Sequence, residues 1–197
     1  MSAIVDLGTR RHRLTVRDYY TMAEAGILKV DDRVELIEGE LLDRTPIGSR
    51  HAAAVDRLNH LLLPRLSNRA IIRVQQPVRL SDQCEPEPDI AVVAFRADFY
   101  ESAHPTPADI YLLIEVADCS LVYDRDLKLP LYARCGIPEV WLLDIESNVL
   151  RIFRSPVGDT YEQNFSASDL DRLVIGSIAD IPLDLSSIFP RKGATRR

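Results

Sequence analysis

Two acidic residues accompany apolar runs in the middle of the chain. Asp89 follows Pro88 and leads into the run from Ile90 to Phe95, while Glu115 lies inside the run from Ile110 to Ala117. Both runs have the length and apolar character of buried β-strands. If the two strands are neighbours, their carboxylates converge at one edge of the sheet. An ionised carboxylate buried there is costly unless it is paired or binds a cation.

These residue types suit magnesium chemistry. Two carboxylates and a backbone carbonyl, such as that of Val116, form the oxygen set that Mg²⁺ prefers. Bound Mg²⁺ polarises a phosphate and lowers the pKa of an attacking water. Lys128 lies on the next predicted helix, where its ammonium group could orient that water or neutralise developing charge. The pattern therefore favours a metal site that acts on phosphate, with Lys128 beside it.

Each of these residues also has a structural interpretation. Asp89 could cap a turn, and Glu115 could form an ion pair with Lys128. Lys128 could instead be an exposed helix residue that pairs with Asp124, four positions earlier. Two further candidates could simply pack in the core, namely His51 and Tyr132. The joint pattern favours the functional interpretation more than any single residue does.

Composition limits the class of protein. The chain has 197 residues, 46% hydrophobic and 27% charged, which is typical of one folded domain. No apolar run approaches the roughly 18–20 residues of a membrane span, so no membrane partner is expected. The three cysteines are odd in number and lack a Cys-x-x-Cys spacing. A disulfide framework or a zinc site is therefore not indicated, and a cytoplasmic location is expected.

The charge balance restricts how the chain could contact nucleic acid. The formal net charge is -6, which argues against a protein that coats nucleic acid through bulk positive charge. It does not exclude an enzyme whose metal ions bridge its acids to phosphate.

The N-terminal part is predicted to form a helix and a hairpin. Thr15 and Asp18 have the spacing of an N-terminal capping box. Apolar and charged residues roughly alternate over 33–44, with Glu38 and Gly39 at the centre, which predicts a β-hairpin with a tight turn. Residues before this helix, 1–13, are predicted to be a flexible end.

The middle of the chain is predicted to alternate helices and strands. Ser49 is expected to cap a helix that continues to about Leu66, with an inner face formed by His51, Val55, Leu58 and Leu62. Period-two alternation and short apolar runs predict strands over 71–80, 90–94, 110–117 and 140–145. On the third of these strands, Glu115 shares a face with Leu113 and Ala117.

A helix is expected within 121–135, and Pro130 allows two forms of it. Either the helix begins at Asp126, with the proline in its first turn, or it begins near Leu121 and is kinked at the proline. A hairpin over 149–165 and a flexible end at 191–197 complete the expected fold. The prediction is one α/β domain over residues 1–197: a central mixed sheet flanked by helices, with an N-terminal helix and hairpin and an added C-terminal hairpin.

The order of the motifs resembles that of a known superfamily. A Pro-Asp pair, a gap and an acid in an apolar strand resemble the PD-(D/E)XK nucleases and their restriction-endonuclease-like fold. More closely, the chain resembles the Uma-two family of bacterial restriction endonucleases. The segments that carry this resemblance are Val34–Leu41, Ser49–His51, Glu87–Val92, Leu113–Ser120, Tyr123–Lys128 and Leu131–Asp144.

The resemblance implies a set of site residues. Asp89 and Glu115 would be the metal ligands and Lys128 the catalytic lysine. Glu35 is the best match for an upstream acid, although two other acids of the same hairpin are hard to separate from it, Glu38 and Glu40. Residues expected to support the site are His51, Glu38, Asp124 and Tyr132.

One position departs from the superfamily pattern. The lysine normally lies two residues after the second acid on the same strand, and this chain has Ala117 there. Lys128 fits a lysine supplied instead by the following helix. A lysine stem is long enough to reach back to the strand, so the departure does not by itself remove the catalytic group.

Three functions are compatible with these observations. The first is a Mg²⁺-dependent endonuclease acting on DNA, with Mn²⁺ as a substitute metal and a homodimer considered as its assembly. The second is a binding module that keeps the nuclease fold without turnover. The third is a hydrolase that uses Asp89 and Glu115 as an acid and base pair without metal. The first is the function that we predict.

Overall fold

The computed structural model describes residues 11–29, 31–118 and 120–189. Most of the two predicted flexible ends, residues 1–10 and 191–197, therefore lies outside the described residues.

A six-stranded mixed sheet forms the centre of the fold, in the order β3-β4-β5-β6-β7-β8. The strands β5 and β6 are parallel, and the other neighbours are antiparallel. A separate two-stranded hairpin is formed by β1 and β2. The strands are β1 Val34–Ile37, β2 Glu40–Asp43, β3 Ala70–Val74, β4 Ile90–Ala94, β5 Ile110–Ala117, β6 Glu139–Asp144, β7 Val149–Val157 and β8 Thr160–Ser166.

Helices cover both faces of this sheet. They are α1 Val16–Glu24, α2 Ser49–Leu66, α3 Leu121–Tyr123 and α4 Leu129–Arg134. A π-helical turn, Asp124–Lys128, joins α3 to α4, and two single 3₁₀ turns are formed by Pro107–Asp109 and Gly176–Ile178.

The sheet separates two hydrophobic clusters. On one face, Leu58 and Leu62 of α2 pack with Ile114 and Trp141 of the sheet and with the segment that follows β8. On the other face, Leu131 and Tyr132 of α4 belong to a cluster with these sheet residues: Ala91, Leu113, Val140 and Leu142. The alternation of side chains along β5 therefore decides which cluster each residue joins.

The predicted N-terminal elements are confirmed. Thr15 and Asp18 form a reciprocal capping box at the start of α1. Glu38 and Gly39 form the hairpin turn with φ values of 49° and 77°, which suits a type I′ turn. Gly39 is also required by space, because a Cβ there would lie 2.7 Å from the Cβ of Arg13.

Two predicted boundaries are wrong. The helix α2 has the predicted extent, but its N-cap is Gly48, and Ser49 is its first helical residue. The strand predicted over 71–80 ends at Val74, because Gln75 takes a φ of 50° and the chain leaves the sheet.

The helix around Pro130 follows the second of the two predicted forms, since it begins at Leu121. Pro130 has no N–H and cannot continue an α-helical ladder. The turn before it is widened, so that the N–H of Leu129 bonds to the carbonyl of Asp124, five residues earlier. The proline is thereby accommodated by a π turn that ends at Lys128.

Candidate active site

A cavity of about 350 Å³ lies between the β1–β2 hairpin, the N-terminus of α2, the ends of β4 and β5, and the helical segment 121–128. Six residues singled out from the sequence line this one cavity: Glu35, His51, Asp89, Glu115, Asp124 and Lys128. Residues that are up to 93 positions apart in the chain are thus brought to one place, as the numbers of Glu35 and Lys128 show (128 − 35 = 93).

The register of two strands brings Asp89 to Glu115. The strands β4 and β5 are antiparallel neighbours, with Ile90 paired to Ile114. Asp89, one residue before Ile90, therefore lies level with Glu115. The Asp89 carboxylate also accepts a hydrogen bond of 2.8 Å from the backbone N–H of Val116.

Three donors hold the Asp89 carboxylate. Besides the Val116 amide, Nε2 of His51 lies 3.0 Å from Asp89 Oδ2, and Nε2 of Gln75 lies 3.3 Å from Oδ1. Burial alone would raise the pKa of Asp89, but the hydrogen bond and charge of His51 hold it below the ordinary value. The same hydrogen bond raises the pKa of His51. The Asp89 carboxylate is therefore ionised and held in position.

Glu115 is held by a lysine and a tyrosine. Nζ of Lys128 lies 3.2 Å from Glu115 Oε1, and the hydroxyl of Tyr132 donates to the same oxygen at 2.5 Å. Burial raises the pKa of Glu115 to about 8, against the effect of the Lys128 ammonium. For Lys128, burial alone would lower the pKa, but the carboxylates of Glu115 and Glu35 raise it, so the ammonium stays charged.

The structure separates the three acids of the hairpin. Glu35 is buried and lies 3.4 Å from Nζ of Lys128. Its carboxylate also accepts hydrogen bonds from the Tyr123 hydroxyl at 2.8 Å and from the backbone N–H of Glu87 at 3.0 Å. Glu35 is therefore the hairpin acid that belongs to the cavity.

Glu38 and Glu40 do not line the cavity. Glu38, expected to support the site, occupies the hairpin turn and forms an ion pair with Arg134. Glu40 pairs with Arg11 and Arg13. Glu38 is three positions after Glu35, so the alternation of side chains along β1 puts the two on opposite sides of the hairpin.

Asp124 adds a further carboxylate. It is buried, and Oδ2 accepts a 2.6 Å hydrogen bond from the Ser120 hydroxyl. Burial raises the pKa of Asp124 to about 6, with smaller contributions from the charges of Asp89 and Glu35. The cavity thus holds more carboxylates than basic groups, which favours the entry of a cation.

The donor set fits a hydrated divalent cation. Within the described residues, no three His, Cys, Asp or Glu side chains are grouped closely enough to form a ready-made metal cage. Mg²⁺ does not require one, because it usually binds one or two carboxylates and keeps several waters. Asp89 and Glu115 supply such a pair. Val116 enters the site through its N–H, and its carbonyl is not among the groups that line the cavity.

Some contributors were missed by the sequence analysis. They are Tyr123, Ser120 and Gln75, each of which donates to a carboxylate of the cavity. The Tyr123 ring also lies 5.6 Å from Nζ of Lys128. In an α-helix, residues five apart do not share a face, but the π turn places Tyr123 and Lys128 together. Pro130 was the one local signal of that turn.

A mixed sheet flanked by helices, with acids at the ends of adjacent strands and a buried lysine between them, is the arrangement of restriction-endonuclease-like proteins. The chain belongs to the Uma2 family, which is described as "Putative restriction endonuclease" and whose profile matches residues 16–184. Among curated proteins, none matches the chain.

A solved structure has the same fold. It is described as a "putative nuclease belonging to DUF820" from Anabaena variabilis. The two share 15% sequence identity and superpose with a TM-score of 0.67, over 89% of this chain and 97% of the other. Within the described ranges, none of the helices has both the length and the apolar character needed to cross a membrane.

Proposed function

We propose that this protein is a Mg²⁺-dependent endonuclease that hydrolyses phosphodiester bonds in DNA. The observation that carries the proposal is the position of Lys128, whose Nζ lies 3.2 Å from Glu115 in the cavity that Asp89 also lines. A lysine beside two carboxylates at adjacent strand ends restores the group that the strand lacks at Ala117. Membership of the Uma2 family supports the same activity.

Each residue has a role in this proposal. Asp89 and Glu115 would hold the metal, which would polarise the phosphate and lower the pKa of a water. His51 and the Val116 amide orient Asp89, as Tyr132 orients Glu115. Lys128 stabilises the negative charge that develops on the phosphate.

Glu35 has a positioning role. Its carboxylate lies within 3.4 Å of the Lys128 ammonium, and its own position is fixed by Tyr123 and by the backbone N–H of Glu87. Glu35 therefore restricts the ammonium to the part of the cavity that Glu115 also contacts.

The test uses single-stranded and duplex DNA together, with Mg²⁺, with Mn²⁺, or with EDTA. The wild type should cleave in either metal and not in EDTA, and Asp89→Asn, Glu115→Gln and Lys128→Met should each lower the rate about 100-fold or more. Glu38→Gln is the matched control, because Glu38 lies outside the cavity. Cleavage by the wild type in EDTA would contradict the proposal. So would a cleavage rate in Glu115→Gln equal to that of the wild type.

Metal binding can be measured without activity. A ligand that binds only the folded state stabilises it by RT ln(1 + [L]/Kd). Mg²⁺ or Mn²⁺ should therefore raise the melting temperature of the wild type and of Glu38→Gln, and should not raise that of Asp89→Asn. An equal increase in melting temperature in all three proteins would mean that the metal binds at a site without Asp89.

A binding module without turnover is the second candidate. It is favoured by the pairing of Lys128 with two carboxylates, at 3.2 Å and 3.4 Å, which suffices to explain the lysine as a structural group. Metal-dependent cleavage that is lost in Lys128→Met excludes this candidate. Cleavage measured in EDTA tests the third candidate, a hydrolase that uses Asp89 and Glu115 as an acid and base pair without metal.

The assembly and the location stay predictions. Sedimentation of the purified chain distinguishes a homodimer from a monomer, and cell fractionation tests the cytoplasmic location.

A further inference from the structure

The reactive groups lie at the bottom of the cavity and not on an open surface. The five charged side chains central to the proposed function are at most 5% exposed: Glu35, Asp89, Glu115, Asp124 and Lys128. A substrate must therefore enter the cavity to reach them.

Much of the cavity wall comes from one connecting segment. Asp43, the last residue of β2, and the five residues 44–48 that join β2 to α2 all line the cavity. Most of this segment is exposed to solvent, including Pro46 and Ile47. A further part of the wall is formed by Asp118, Ser120 and Tyr123. The volume of about 350 Å³ is at the lower end of the range for sites that enclose a small organic molecule.

This geometry does not suit a continuous duplex. A duplex is read from its surface, through grooves and a backbone that carries one charge per roughly 1.7 Å of axis. Enzymes that work on a base inside a pocket draw that nucleotide out of the stack, at a cost that is least for a strand that is already single. Because Glu115 is 3% exposed, a phosphate must enter the cavity to approach it. A flexible single strand can do this at lower cost than a duplex, which is stiff over roughly 150 base pairs.

The charges near the cavity favour the same substrate. A protein that holds a duplex neutralises several phosphates with lysines and arginines. Here Arg44 is paired with Glu87, and Arg50, beside the cavity, is paired with Asp118. Of the arginines in the described lining, this leaves Arg33, which is exposed, for an incoming phosphate.

Apolar groups of the cavity wall also favour an unpaired nucleotide. Ile47 is 37% exposed and lines the cavity together with Pro46 and the ring of Tyr123. Unpaired bases stack on aromatic rings with little regard to sequence, because every base has a π-face. A duplex would keep its bases stacked on one another and would not use these groups.

We infer that the cavity takes an unpaired nucleotide, from a single strand or a frayed or flapped end, in preference to continuous duplex DNA. The inference rests on the proposed function and specifies its substrate. Arg33 contacts the backbone of the unpaired strand, and the wall formed by Pro46, Ile47 and Tyr123 contacts its base.

The first experiment compares cleavage of three labelled DNA substrates of one sequence in Mg²⁺: a single strand, a blunt duplex, and a duplex with a single-stranded flap. The single strand and the flap should be cleaved at least tenfold faster than the blunt duplex. Internal cleavage of the blunt duplex at an equal or greater rate overturns the inference while leaving the proposed function intact. If no substrate is cleaved, both fail.

The second experiment measures binding in EDTA by fluorescence anisotropy, so that its outcome does not depend on turnover. The wild type should bind the single strand at least tenfold more tightly than the blunt duplex. Arg33→Gln and Ile47→Ala should each weaken single-strand binding severalfold. Arg65→Gln is the control, since Arg65 is exposed in the last turn of α2 and does not line the cavity. Equal affinity for both DNAs, or no effect of either variant, overturns the inference.

Discussion

Lys128 combines two roles that the sequence presented as alternatives. The structural interpretation of Glu115 was an ion pair with Lys128, and that ion pair is present. The same contact puts the ammonium inside the cavity, because the lysine reaches it from a turn on which it is only 3% exposed. A buried charge of this kind is stable only when it is fully paired. The pairing that a structural role requires is therefore also what would fix the lysine for catalysis.

Removal of the lysine charge should affect stability as well as cleavage. Lys128→Met leaves Glu35 and Glu115 buried without their cation, which should lower the free energy of unfolding by about 3–5 kcal/mol. Urea unfolding of both proteins in EDTA above pH 8, where Glu115 is ionised, measures the difference. Lys29→Met is the control, since Lys29 is exposed. An unchanged unfolding free energy in Lys128→Met would show that this ion pair is not formed.

The pH dependence of stability should identify Glu115. Burial raises its pKa to about 8 from an ordinary value of 4.5. Between these values the folded chain binds a proton that the unfolded chain has lost, so the free energy of unfolding falls as pH rises. Glu115→Gln removes this titration. Its unfolding free energy, relative to wild type in EDTA, should therefore rise from about pH 5 to about pH 8.

The control for this prediction is Glu38→Gln, because Glu38 is exposed and outside the cavity. Any pH dependence that Glu38→Gln shares with Glu115→Gln is not assigned to Glu115. A constant difference between Glu115→Gln and wild type would mean that Glu115 is ionised throughout.

At the scale of elements, local patterns predicted most of the fold. Alternation and apolar runs predicted the first and last residues of β4 and β5 correctly. Because these two strands are neighbours in the sheet, Asp89 lies beside Glu115. The hairpin pattern did not show which of its acids reaches the cavity, because that depends on which distant residues each acid meets. Tyr123, which holds Glu35, is 88 residues away from it, and no local spacing encodes that contact.

Outside the cavity, a series of hydrogen bonds connects β3, α1 and two loops to β1, the strand that carries Glu35. Arg73 of β3 lies 3.3 Å from Nδ1 of His104, whose Nε2 lies 3.1 Å from the Tyr20 hydroxyl of α1. That hydroxyl donates to buried Glu85 at 2.7 Å, and the backbone N–H of Glu85 donates to the carbonyl of Leu36. Arg73 can only donate, so His104 is neutral with its proton on Nε2.

Interruption of this series of hydrogen bonds should loosen the hairpin. Tyr20→Phe removes the donor to Glu85, which is 2% exposed, and should lower the free energy of unfolding by about 1–3 kcal/mol. Tyr111→Phe is the matched control, because no side-chain hydrogen bond of its hydroxyl is present among the described residues. Urea unfolding measures both. A change in Tyr20→Phe no larger than that in Tyr111→Phe would mean that the series contributes little to stability.

At the scale of the molecule, the cavity lies at one end of β4 and β5, and the segment that follows β8 packs in the same hydrophobic cluster as α2. The segment after β8 contributes Leu173, Ile175 and Leu185 to the cluster that also contains α2. It is fixed by Glu139, the first residue of β6, whose Oε2 accepts a 2.7 Å hydrogen bond from the backbone N–H of Gly176. No pattern in the sequence indicated that a buried acid would hold this segment.

Glu139 should therefore be important for folding and not for the chemistry of the cavity. Its Oε1 accepts hydrogen bonds from Nε1 of Trp141 at 2.6 Å and from Arg154 at 2.9 Å. Glu139→Ala leaves the Arg154 charge and the two N–H groups without this partner, and should lower the free energy of unfolding by about 3–5 kcal/mol. Circular dichroism in urea measures the loss, while the fluorescence of Trp141, the single tryptophan, reports the local change.

Glu162→Ala on the exposed strand β8 is the control and should change stability by less than about 0.5 kcal/mol. The position of Glu139 also separates folding from function. On β6, Leu142 and not Glu139 is the residue level with Glu115. At a temperature where Glu139→Ala is still folded, metal-dependent cleavage should therefore stay within about twofold of wild type, whereas Lys128→Met should be inactive at any temperature. If Glu139→Ala is fully folded and still loses cleavage, the segment that follows β8 influences the cavity through the sheet.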